Sequence, residues 1–127
     1  MTPVAAIAQS GLAAATLRLN VSASNVANMG DASPVGSTTG YRRGAVTTSP
    51  TPGGGVTAQA VTLSPAQTLA YDPTASIADA QGMVQMPDIA PIAEISNQMA
   101  ANQAFAFSLD ALKVADKEKK ALLDLTT

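Results

Sequence analysis

The sequence predicts a mainly α fold. Two long terminal helices form an antiparallel, coiled-coil-like pair, with a small irregular and β region between them. Three observations lead there. Apolar residues recur at helical spacing near both chain ends. Most Gly and Pro, with many Ser and Thr, fall between those stretches. Large apolar side chains are scarce, with 26 Ala against 26 Leu, Ile, Val and Phe together in 127 residues. Such a low share signals disorder only when net charge is high, and here the net charge is −2. The chain therefore folds, around a core that is thin for its length. The expected units are residues 1–29, 30–88 and 89–127.

The first helix is expected over residues 3–28. Thr2 is a candidate N-cap, and Pro3 suits the first helical position. Ala5, Leu12, Leu19 and Val26 recur every seven residues, and Ala14, Leu17, Val21, Ser24 and Asn28 form a second row. Two rows on one helix ask for more than one neighbour. Gly30 is a plausible stop. The helix would be ~39 Å long.

Residues 31–39 read as a loop. Residues 45–48 and 56–69 carry short alternating patterns, and Gly53, Gly54 and Gly55 suit a turn between them. Two to four short strands are expected. Asp72, Asp79 and Asp88 lack the spacing of an EF-hand loop, so a turn or cap role suits them better.

The second helix is expected over residues 89–125, ~55 Å long. Pro91 fits its first turn. Ile92, Ile95, Met99, Ala106 and Leu109 follow heptad spacing, with Phe105 and Leu112 beside them. Lys117, Lys119 and Lys120 lie near the end that favours positive charge.

One helical pair leaves much of each helix uncovered, so the heptad rows suit either an ordinary two-helix core or a subunit that completes its core by assembly. The candidate interface is Leu12, Leu19, Val21, Asn25, Val26 and Asn28 with Ile92, Ile95, Met99, Phe105, Leu109 and Leu112. Asn25 and Asn28 in an apolar row fix register at some cost in stability, or cap the helix end.

Composition removes many chemistries. There is no His and no Cys, so imidazole bases, thiolates, disulfides and Cys/His zinc sites are excluded. Seven basic against nine acidic residues give no surplus for nucleic acid. Residues 53–55 lack the Gly-Lys-Ser/Thr of a phosphate loop. Ser108 and Lys113 have no oxyanion hole or strained turn beside them. No enzyme activity, cofactor, metal or small-molecule substrate is expected. No unbroken run of 18 apolar residues occurs, which argues against a membrane span. The first residues lack the basic region of a secretory signal.

The run Arg18-Leu19-Asn20-Val21-Ser22-Ala23-Ser24-Asn25-Val26-Ala27-Asn28, with Ser10-Gly11-Leu12 before it and Thr39-Gly40-Tyr41-Arg42-Arg43 after, resembles the N-terminal signature of the bacterial flagellar rod and hook axial proteins. Leu69-Ala70-Tyr71-Asp72-Pro73 and Ala78-Asp79-Ala80-Gln81-Gly82-Met83-Val84-Gln85-Met86-Pro87-Asp88-Ile89 are similar to the proximal-rod branch of that family. Two departures stand out. A loop of about ten residues separates Asn28 from Gly40. Phe105 and Ser108 stand where the family usually has Tyr and Asn.

The resemblance implies a structural subunit of the basal-body rod, which spans the periplasm and transmits torque from rotor to hook. It implies export through the flagellar type III apparatus without a cleavable signal. It also implies partners among the other rod subunits, with terminal helices packed near the rod axis. The alternative is a helical-hairpin adaptor of the flagellar or a related type III secretion system that forms no filament.

Overall fold

The computed structural model describes residues 3–125. Pro3 opens helix α1 (Pro3–Ala27), where its fixed φ suits a helix and its missing N–H leaves nothing unsatisfied. Thr2, the expected cap, lies outside the described residues. The helix ends one residue earlier than expected. Asn28 closes it, its backbone N–H and its Nδ2 both donating to the Ser24 carbonyl at 3.1 and 2.8 Å. Helix α2 (Pro91–Asp124) likewise opens on Pro, with no side-chain cap. Its last turn carries no basic residue. The three lysines end just before that turn, where the dipole is already weak.

The two helices run antiparallel, since Ser22 meets Glu94 while Gly11 meets Ser108. Their seam is built from small side chains. Ala5, Ala8, Ala15 and Ser22 are buried on α1, and Glu94, Ala101 and Ala115 on α2. A β-carbon on Gly11 would stand 2.5 Å from Ser108 Oγ, so the two backbones approach closely there. That closeness decides which α2 side chains can face α1. The large apolar row of α2 does not meet α1: Ile92, Ile95 and Met99 are 81%, 56% and 66% exposed. The close approach at Gly11 leaves little room beyond the Ser108 side chain. The true seam row is Glu94, Ala101, Ser108 and Ala115, every seventh residue.

Between the helices lie β1 (Gly44–Pro50), β2 (Val56–Thr62), β3 (Gln67–Tyr71) and β4 (Met83–Pro87). They pair as two separate antiparallel two-stranded sheets, β1 with β2 and β3 with β4. The turn at Gly53, Gly54 and Gly55 is present, all three with φ of 90–95°. The stretch 56–69 is split at residues 63–66, where Arg43 N–H donates to the Ala66 carbonyl and Leu63 N–H to that of Arg43. β4 was not foreseen. It carries the buried Val84, and Ser33 bridges its Gln85. Asp72 and Asp79 serve turns. Hydrogen bonds from Thr74, the side-chain hydroxyl first, hold the Asp72 carboxyl below its ordinary range. Asp79 accepts from the backbone of Gln81 and Met83.

The β1–β2 hairpin lies along α1. Its root passes Val21, and near its tip Val56 N–H donates to Ser10 Oγ at 3.1 Å. Val21 of the second row expected on α1 thus finds a neighbour inside the chain, and Ala14 of that row is buried. By length and composition α1 also passes as a membrane-crossing helix, with mean hydropathy 1.2 in its most apolar window. Here its faces pack on α2 and on the hairpin.

Candidate functional site

Where α1, the start of α2 and the root of the hairpin converge, four polar side chains form one node. Asn25 is 1% exposed and has every hydrogen-bonding group engaged. Its Nδ2 donates to the Gly44 carbonyl at 2.9 Å and to Glu94 Oε1 at 3.1 Å. Its Oδ1 accepts from Gly44 N–H at 3.0 Å and from the Tyr41 hydroxyl at 2.9 Å. A second short contact joins Ser22 Oγ to Glu94 Oε2 at 2.6 Å. Ser22 Oγ also lies 3.1 Å from the Glu94 carbonyl.

The node joins three elements through side chains that fit only in one register. Glu94 is 6% exposed, and both carboxylate oxygens are met by neutral donors. Burying a carboxylate is costly unless such bonds replace its water. Burial first, and the Glu94 charge second, hold the Tyr41 phenol above its ordinary value of 10.0. A groove of about 430 Å³ opens beside the node, lined among others by Arg18, Arg43, Glu94 and Asn97. Arg43 Nε is buried there without a hydrogen-bond partner among the described residues.

The twelve candidate interface residues fall into three places. Leu12, Leu19 and Val26 are half-buried along α1, and Val21 is half-buried under the hairpin root. Asn25 is the centre of the node, while Asn28 turns its side chain back onto its own helix end. On α2, Ile92, Ile95 and Met99 are exposed, Phe105 is 37% exposed, and Leu109 and Leu112 are half-buried. The structure thus brings Asn25 to the helix junction and leaves the first α2 row open.

Ser22 and Glu94 were missed as a pair. A signal existed: Glu94 begins a heptad that continues through Ala101, Ser108 and Ala115, a row too small-sided to stand out beside Ile and Met. Tyr41 stands in the run 39–43 that carries the resemblance, but its bond to Asn25 crosses an irregular loop that carries no periodicity.

A close helical pair with one buried polar junction and a hairpin along α1 defines a two-helix protein with a small β middle. No protein-family model matches the chain. It is 36% identical over 111 residues to the flagellar basal-body rod protein FlgC of Salmonella typhimurium, covering 84% of this chain and 83% of that relative. Over the same shares it is 35% identical to FlgC of Escherichia coli O6:H1 and 33% identical to FlgC of Yersinia enterocolitica. The chain belongs to the FlgC family of flagellar basal-body rod proteins.

Proposed function

We propose that this chain is a structural subunit of the flagellar basal-body rod that assembles through the outward face of α2. Family membership supports the rod role. The observation that carries the assembly route is the exposed row Ile92, Ile95 and Met99 on a helix whose other face is already packed. Apolar side chains aligned on one helix face favour burial against a further helix. The partners are other copies and other rod subunits, with the export apparatus met in transit. The rod spans the periplasm and carries torque from rotor to hook, and the subunit acts by packing, without catalysis.

Ile95→Asp tests the route. Ile95 is open in the free chain, so the variant keeps its unfolding midpoint, whereas assembly would bury an unpaired charge. A strain lacking the gene, complemented with Ile95→Asp, is expected to be non-motile and to yield basal bodies without a complete rod. Full motility with wild-type rods would remove this face from the interface.

A further inference from the structure

The groove beside the node carries charge that the fold itself does not use. Arg18 reaches it from α1 and Arg43 from the position before β1, while Asn97 stands on its α2 wall. Neither arginine forms an ion pair with a described residue. The Arg18 guanidinium makes a single long contact, from Nη2 to Thr48 Oγ1 at 3.5 Å. The side chains of Arg43 and Asn97 make no hydrogen bond among the described residues, and Arg43 Nε is buried in that state. A buried donor without an acceptor is costly, so the Arg43 fork gains by meeting one.

Glu94 also lines the groove, and its charge counts against the arginines. Both its oxygens are turned to Ser22 and Asn25, at 2.6 and 3.1 Å, and neither pairs with an arginine. Two arginines against one carboxylate leave a surplus of one positive charge. Guanidinium groups with free N–H donors select oxyanions, carboxylates above all. The rest of the wall narrows the choice. Val21, Val46 and Leu63 give it an apolar flank, and its volume of about 430 Å³ leaves room beyond a bare ion. That combination suits a carboxylate carried on an aliphatic stem.

The groove adjoins the open face of α2. Ala93 and Ala100 line it, and each follows an exposed member of the apolar row, Ile92 and Met99. A chain packed on that row passes close to the groove. We propose that this groove is a carboxylate-binding site, in which Arg43, Arg18 and Asn97 hold an aspartate or glutamate side chain of a neighbouring rod subunit. That the neighbour is a rod subunit rests on the assembly reading above; the carboxylate chemistry rests on the groove alone. Turning the Arg43 fork onto the carboxylate gives Nε the acceptor it lacks. A charged contact of this kind fixes partner and register more than it adds raw affinity.

Nuclear magnetic resonance titration of the full, isotope-labelled chain tests it, read at the arginine Nε–H and Asn97 side-chain amide signals. The probes are N-acetyl-Ala-Glu-Ala-amide, the same peptide with Gln for Glu, and sodium acetate, all at one ionic strength. The glutamyl peptide is expected to move the Arg43 and Asn97 signals and to saturate in the millimolar range. The glutaminyl peptide should leave them in place. Acetate lacks the aliphatic stem and should bind about tenfold more weakly. Arg43→Lys keeps the charge and loses the fork, and should weaken glutamyl binding about tenfold. Arg18→Gln should weaken it by about the same factor through the lost charge. Both variants should keep the wild-type unfolding midpoint, because neither guanidinium is anchored in the fold.

Equal shifts with the two peptides, or wild-type affinity in both variants, would overturn the site. Acetate binding as tightly as the glutamyl peptide would assign the groove to a free anion and overturn the docked side chain. These readouts use the isolated chain. A deletion strain with intact rods would therefore refute the rod reading and leave the carboxylate site standing.

Discussion

Asn25 shows how much of a fold one side chain can fix. Gly44 presents both its N–H and its carbonyl to the amide, so only one orientation of the side chain satisfies both. Glu94 then receives the remaining amide proton, and Ser22 fills its other oxygen. Glu94→Ala leaves one buried amide proton of Asn25 without an acceptor and Ser22 Oγ with only the backbone carbonyl of residue 94. It is expected to lower stability by about 2–3 kcal/mol, read as a fall in urea midpoint. Tyr41 gives a second test. Its phenol titrates above the ordinary 10.0 because burial, then Glu94, disfavour the phenolate. A raised folded value means that its contribution is fully present below the unfolded value and is lost as pH rises through the folded one. Absorbance at 295 nm in Tyr71→Phe should show the remaining phenol titrating above a free tyrosine amide, with stability falling in that alkaline range. A phenol that titrates with the free amide would contradict its burial at the node. Asn25 was legible in the sequence as a polar residue in an apolar row. Its partners were not, because Tyr41 and Gly44 come from a loop and a strand root with no repeating pattern.

The helices were legible to within one or two residues at described ends, because Pro opens each and the apolar period is strong. The face of α2 was not. Large side chains dominate a periodicity count, yet close helix packing selects small ones. Gly11 and Ser108 carry this rule. Gly11→Ala gains helix propensity, about 1 kcal/mol, but sets a methyl against the Ser108 hydroxyl. Combining Gly11→Ala with Ser108→Ala removes the clashing oxygen. Thermal unfolding is expected to rank the double variant above Gly11→Ala alone, and equal midpoints would mean that the helices are further apart. β4 escaped notice because Met83–Pro87 has no simple alternation and is ordered by its partners β3 and Ser33.

At the scale of the molecule, the antiparallel pair and its β middle were legible because the Gly- and Pro-rich middle separates two helical patterns. The division of labour among the faces was not, since a single chain cannot tell which apolar row its own hairpin covers. That division gives Leu12 and Ile95 different expected behaviour. Leu12→Asp places charge along α1 where the side chain is half-buried, so it weakens the subunit itself, whereas Ile95→Asp is silent until assembly. Equal loss of unfolding midpoint in both variants would show that the α2 row is already covered in the free chain.

The place of the node along the pair has a mechanical consequence. Pro3 and Leu125, the outermost described residues, lie at the end away from Asn25 and Glu94, beyond Ala5 and Ala115, and α2 runs about eight residues past the start of α1. A pull on Pro3 alone loads the contacts one at a time. It peels α1 away through alanine contacts first and meets the polar junction last. A load along the helix axes instead strains alanine seam and junction together. The same subunit therefore yields to threading from one end and resists sliding as a whole.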